Sequence, residues 1–304
     1  MIELTDVTKR YGSTVAVDHL SFEVRPGEVT GFLGPNGAGK STTMRMIVGL
    51  DAPTSGRVTI DGLAYRDLRF PLRRVGALLE AKAIHPGRTA HDHLRWLADS
   101  NGISRRRVGE VLDLVGLTEV AGDRAGGFSL GMSQRLGIAT ALIGDPGTLL
   151  LDEPVNGLDP EGIQWIRRFL RSLAGEGRSI LVSSHLMSEM ALTADRLVVV
   201  GRGRLITEGT VEDLVDRATT GHVRVDAAEP GPLAALLQAR GAGVTTQADG
   251  TLVVAGTTAR DIGIAAGKAG ITLYELTPQT ASLEEAYMEL TRDAAEYTTR
   301  GAAA

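Results

Sequence analysis

Two hydrophobic periods alternate along this chain, and the points where one gives way to the other mark its elements. "TVAVDHLSFEV", starting at Thr14, alternates apolar and polar residues as a half-buried strand does, and "EVTGFLG" is a short apolar run of the buried-strand kind. A glycine-rich loop follows, then a helix through "STTMRMIVGL". "GRVTIDG" and "VGALLE" read as further strands. Over 89–144 the period becomes helical, in "TAHDHLRWLADS", "RRRVGEVLDLVGL" and "SQRLGIATALIG". "TLLLDEP" returns to a buried strand. "EGIQWIRRFLRSLAGEG" places Ile163, Ile166, Leu170 and Leu173 on one helical face, with Arg167, Arg168 and Arg171 elsewhere. "SILVSSH" is another strand, and "RLVVVGRGRLITEG" reads as a hairpin turning near 201–203. The layout predicts an α/β domain with a mainly helical insert.

The pattern changes again near "RATTGH", 217–222, which sets the expected domains at 1–218 and 219–304. Beyond it, "HVRVD", "PLAALLQARG", "GVTTQ", "TLVVAG", "ARDIGIAAGKAG" and "ITLYEL" follow the order β-α-β-β-α-β, which suits a small ferredoxin-like α+β unit. "SLEEAYMEL" predicts a last helix. Ser282 and Glu285 form its capping box, and Leu283, Ala286, Tyr287 and Leu290 its apolar stripe. The tail "TTRGAAA" is expected to be loose.

Composition narrows the function classes. Aromatic residues are only 4 %, so the cores must be built from Leu, Val, Ile and Ala. A net charge of −5 lacks the basic excess of a general nucleic-acid binder, and no nucleic-acid partner is expected. Cysteine is absent, which rules out disulfides and Cys-ligated metal. The N-terminal "MIELTDVTKRYG" has no basic stretch followed by an apolar one, so no secretory leader is expected. No run approaches the ~18 apolar residues of a membrane span. Any spans needed for work at a membrane must therefore come from another chain.

Chemistry concentrates in three segments. "GPNGAGKST", 34–42, matches G-x-x-x-x-G-K-[ST] between a predicted strand and a predicted helix. Its glycines let backbone N–H groups curl around phosphate oxygens. Lys40 would neutralise the β- and γ-phosphates, and Ser41 would ligate Mg²⁺. In "LLLDEP", Asp152 stands at the carboxyl end of a strand, where ligands gather in open parallel sheets. It suits Mg²⁺ held through water. Glu153 follows, a carboxylate able to polarise attacking water or take its proton. Third, Ser129, Gly131 and Ser133 in "FSLGMSQRLGIA" lead into a helix, whose N-terminus suits a second anion; locally, Ser129 is also an ordinary N-cap.

With "NGLDP" and the His185 of "SSH", these motifs stand in the order and spacing of one family. Over about residues 1–215 the chain resembles the nucleotide-binding subunit of an ABC transporter, a P-loop NTPase fold with a helical signature subdomain. The resemblance implies ATP hydrolysis with Mg²⁺, at the cytoplasmic face of a membrane, beside a separate multi-span permease. It implies a head-to-tail pair of copies, in which Ser129, Gly131 and the helix they begin cap the ATP held by the partner's 34–42 loop. Gly34, Pro35, Asn36, Gly37, Ala38, Gly39, Lys40, Ser41 and Thr42 would hold phosphates, Tyr11 would stack on adenine, and His185 would contact the γ-phosphate. Asp159 matches the aspartate that acts across the pair, although Asp159-Pro160 is equally a local helix start.

Two departures stand out. The Mg²⁺-binding glutamine of the family is replaced by Glu80, still an oxygen ligand but one that adds negative charge. The signature Leu-Ser-Gly-Gly-Gln is here Phe128-Ser129-Leu130-Gly131-Met132. "GALLEAKAIHPGRTAHDHL" and the C-terminal unit look like the ATPases of drug and peptide-antibiotic export systems. The alternative is a soluble ABC ATPase acting on ribosomes or nucleic acid, which usually carries two cassettes or a basic insert. A small-molecule P-loop kinase would leave "FSLGMSQR" and "NGLDP" without a role. The basic clusters "YRDLRFPLRR" and "SRRRV" are either solvated faces or a membrane-side surface.

Overall fold

The run Val29–Leu33 is buried at every position, as is Ser179–Ser184, and such strands must be covered on both faces. In the computed structural model, which describes residues 1–80, 83–218, 222–279, 283–284 and 287–288 (backbone only at 216–218), these runs are the middle of a parallel sheet. In chain order the first elements are β1 (Ile2–Tyr11), β2 (Thr14–Val24), β3 (Val29–Leu33), α1 (Lys40–Ile47), β4 (Ser55–Ile60) and β5 (Val75–Leu78). The helical insert supplies α2 (Ala90–Ser100), α3 (Arg106–Leu114) and α4 (Leu130–Leu142). Then come β6 (Thr148–Asp152), α5 (Pro160–Gly175), β7 (Ser179–Ser184), α6 (Met187–Thr193), β8 (Arg196–Gly201) and β9 (Arg204–Thr210).

The larger sheet runs β5-β6-β7-β3-β8-β9, parallel except for the last pair. A smaller antiparallel sheet, β2-β1-β4, faces it across a core that includes Leu20, Phe22, Phe32, Met44, Ile47 and Leu150. The Phe22 and Phe32 rings meet there at 5.3 Å. Strand β1 escapes an alternation test because its register shifts between Leu4 and Val7 and again before Lys9, with Asp6 at φ +53°. Each bulge resets which side chains point inward.

The insert is fastened to the sheet by a close approach. Helix α4 lies so near β5 that a Cβ on Gly76 would collide with the Ala141 carbonyl. Thr89 caps α2 by accepting the Asp92 N–H at 3.0 Å. Arg105 pairs with Asp99, and Arg106 and Arg107 with Glu110, so the "SRRRV" arginines are matched by carboxylates on their own surface.

The described residues fall into two compact units that divide between Val211 and Glu212, seven residues before the expected boundary. Nearly all of α7 (Val211–Ala218), a helix the sequence patterning passes over, therefore belongs to the second unit. That unit continues with β10 (His222–Ala227), α8 (Pro230–Gln238), β11 (Gly243–Thr246), β12 (Leu252–Ala255), α9 (Ala259–Ala269) and β13 (Leu273–Gln279). Its sheet is antiparallel throughout, in the order β11-β12-β10-β13, which is ferredoxin-like. Val223, Val225, Leu233, Leu252, Val254 and Ile262 fill its own core. Leu283, Glu284, Tyr287 and Met288 are helical. The capping pair Ser282–Glu285, Ala286, Leu290 and the tail lie outside the described residues. No helix among the described residues is long and apolar enough to cross a membrane.

Candidate active site

Strand register brings the chemistry together. Leu33 at the end of β3 pairs with Ser184 on β7, and Ser183 pairs with Asp152 on β6. Three carboxyl ends therefore finish level, and the segments leaving them, 34–42, Glu153 and His185, emerge on one edge. Between them lies a cleft of about 360 Å³, lined by Pro35, Asn36, Gly37, Ala38, Gly39, Lys40, Ser41 and Thr42 and closed by Asp152 and Glu153. Gly34 begins the loop at its base.

The loop enters α1 through Gly39 at φ +98°, a left-handed conformation in which no side chain caps the helix. The first N–H groups of α1 are thus free of side-chain partners and suit an anion. Lys40, 8 % exposed, folds back and donates to the Gly34 carbonyl at 2.5 Å and the Pro35 carbonyl at 3.3 Å. Burial pulls its ammonium below the usual lysine range, while the Glu153 and Asp152 carboxylates oppose that shift. A cation held on carbonyl oxygens beside a backbone cradle is poised to exchange them for phosphate oxygens.

The Ser41 hydroxyl donates to Asp152 Oδ2 at 2.9 Å, and the Ser183 hydroxyl donates to the other carboxylate oxygen. A hydroxyl and a carboxylate in contact form a hard-oxygen pair, the donor chemistry Mg²⁺ prefers. Among the described residues no cluster of three His, Cys, Asp or Glu side chains exists to hold a metal.

Glu153 has φ +50°, and its carboxylate Oε2 stands 2.8 Å from Nδ1 of His185. Its N–H donates to the Ser183 hydroxyl at 3.0 Å. Its carbonyl accepts from Gln134 Nε2 at 2.9 Å. Ser183 lies in the "SSH" motif and Gln134 in "FSLGMSQR", but the motifs give neither residue a role.

The remaining expected residues lie apart from the cleft lining. Ser129 caps α4, accepting the Met132 N–H at 3.2 Å, and Gly131 follows at the second helical position, near the Gly157 carbonyl. Asp159 caps α5 through the Gly162 N–H at 2.8 Å, with Pro160 at the first helical position. Tyr11 ends β1 with its ring half-exposed, its hydroxyl donating to Asp51 at 3.0 Å and the Lys9 ammonium 4.9 Å above the ring. Desolvation, then the Asp51 carboxylate, raises its pKa. Leu79, not Glu80, reaches the cleft. Glu80 borders a neighbouring, mainly apolar cavity of about 430 Å³ shared with Arg45, Leu72 and His93.

Known proteins resemble this chain in sequence and fold. A family model described as ABC transporter matches residues 17–156, and another, described as a domain of unknown function, matches 221–284. The chain is 44 % identical over 220 residues to the bacitracin transport ATP-binding protein BcrA of Bacillus licheniformis, covering 71 % of this chain and 72 % of that protein. To the lantibiotic transport ATP-binding protein SrtF of Streptococcus pyogenes it is 37 % identical over 208 residues, covering 68 % of this chain and 90 % of that one. A solved dimeric structure of the ATP-binding cassette MJ0796, in a post-hydrolysis state bound to ADP and Pi, superposes with a TM-score of 0.64 at 27 % identity, over 69 % of this chain and 98 % of that chain. The family match at 17–156 contains the 34–42 loop, β3, β6 and both cleft carboxylates, and the bacitracin transport relative is 44 % identical over 220 residues, so this chain belongs to the ABC transporter ATP-binding proteins and is an ATPase.

Proposed function

We propose that two copies of this chain bind ATP and Mg²⁺ head to tail and drive export of a peptide antibiotic or similar drug through a separate multi-span permease. The ATPase works peripherally, at the cytoplasmic face of the membrane. One observation supports the pairing: the N-terminus of α4, capped by Ser129 and followed by Gly131, is of the kind that suits an anion and lies outside the lining of its own chain's cleft. A second copy would bring its triphosphate to that seat. The dimeric MJ0796 cassette supports the same assembly, and the bacitracin and lantibiotic relatives support the cargo class.

Within each cleft, backbone N–H groups of 37–42 and the Lys40 ammonium hold the phosphates. Ser41 and Asp152 would hold Mg²⁺, which when bound neutralises charge on the phosphoryl oxygens. The segment after β5 would have to move for Glu80 to join them. Glu153 polarises the attacking water, and His185, oriented by its contact with Glu153, faces the γ-phosphate. Tyr11 supports the adenine, and Asp159 acts across the pair.

Complementation tests the pairing. Ser129→Ala and Lys40→Ala proteins should each be nearly inactive, and their mixture should recover part of wild-type turnover, because one composite site of the mixed pair keeps both Lys40 and Ser129. No recovery at any mixing ratio would refute the shared site.

A further inference from the structure

Glu153 occupies a backbone conformation that L-residues rarely adopt, at φ +50°, so contacts beyond its own turn must hold it there. Its peptide groups are gripped from two sides. On the β7 side, its N–H is shared between the Ser183 carbonyl at 3.2 Å and the Ser183 hydroxyl at 3.0 Å. On the other, its carbonyl accepts the Asn156 N–H at 3.1 Å and the Gln134 side-chain amide at 2.9 Å. Gln134 arrives from α4, nineteen residues earlier in the chain, and is only 3 % exposed. The other buried positions of α4 are Leu136, Gly137, Ile138, Ala139, Ala141 and Leu142. A buried amide on such a helix is costly unless paired, and its Nε2 donates to the peptide of the base.

We propose that Gln134 is a positioning residue for hydrolysis, fixing the Glu153 peptide so that the carboxylate keeps its approach to His185 and to the attacking water. It rests on the assignment of Glu153 as general base. Gln134 is not among the residues lining the cleft; it acts through the Glu153 carbonyl. It also ties the base to the helix whose first turn carries Ser129.

The test is Gln134→Met, a side chain of similar length with no donor. Measured per folded molecule, kcat should fall roughly 10- to 100-fold, as expected for a displaced catalytic group. KM for ATP should stay within about twofold, since uniform binding is untouched. A side chain that served packing alone would lower thermal stability and leave kcat in place. In a double-mutant cycle, adding Gln134→Met to Glu153→Gln should cost no further turnover, because both act through one group. Wild-type kcat in Gln134→Met, or full additivity in the cycle, overturns the proposal. If Gln134→Met does not accumulate as folded protein, Gln134→Leu removes the same donor and is read the same way. Wild-type turnover in Glu153→Gln alone would instead overturn the base assignment, which separates the two failures.

Discussion

Glu153, which helps to close the cleft, stands with its carboxylate 2.8 Å from Nδ1 of His185. Replacing Glu153 by Gln keeps the volume and a hydrogen-bonding partner for His185 but removes the proton acceptor. Turnover should fall by about 10²- to 10⁴-fold, the usual contribution of a general base. Nucleotide binding, measured by calorimetry, should persist, because Lys40, Ser41 and the loop amides are untouched. Loss of binding instead of turnover would mean that Glu153 holds the cleft together. Most single residues of the site were legible from local pattern: the glycine–lysine loop specifies its own dihedrals and charge within nine positions. Ser183 and Gln134 were not. Their partners lie 31 and 19 residues away, at Asp152 and Glu153, and nothing in a six-residue window announces them.

At the level of elements, the tightest fit is between α4 and β5. Gly76 has no Cβ because the Ala141 carbonyl occupies that space, and Leu78 closes on Gly137 along the same contact. Gly76→Ala must push α4 off the sheet. Overpacking of this kind costs about 1–3 kcal/mol, which should lower the melting temperature by several degrees. Because α4 carries both Ser129 and Gln134, ATP turnover should fall along with stability. An alanine variant with unchanged melting temperature would show that the helix has room to slide. Element type was largely readable beforehand. The all-apolar runs became the parallel strands, and the 89–144 insert became helices. Strand β1 was not named, since its bulges break the alternation that reveals a strand. Nor was α6, whose seven residues are too few to display a period.

The whole molecule consists of two units with separate cores, and every residue lining the cleft belongs to the first. A ligand that binds one folded unit stabilises that unit by mass action, by about 2.7 kcal/mol at a hundredfold excess over Kd. Scanning calorimetry with Mg²⁺ and ATP should therefore raise the transition of the 1–211 unit. The transition of the ferredoxin-like unit should stay where it was. A common upward shift of all the heat absorption would show that the two units melt cooperatively.

Local sequence alone determined the phosphate loop, the acidic strand end, the α/β alternation and the β-α-β-β-α-β order of the second unit. Each is written in side-chain size, charge or period over a few adjacent residues. Tertiary structure alone decided that β3, β6 and β7 end level, that Glu80 faces a different cavity from Ser41 and Asp152, and that the start of α4 stands away from its own chain's cleft. Those outcomes depend on register and packing between segments far apart in the chain. The free energies that set them belong to pairs of surfaces, and no single stretch of residues carries both members of a pair.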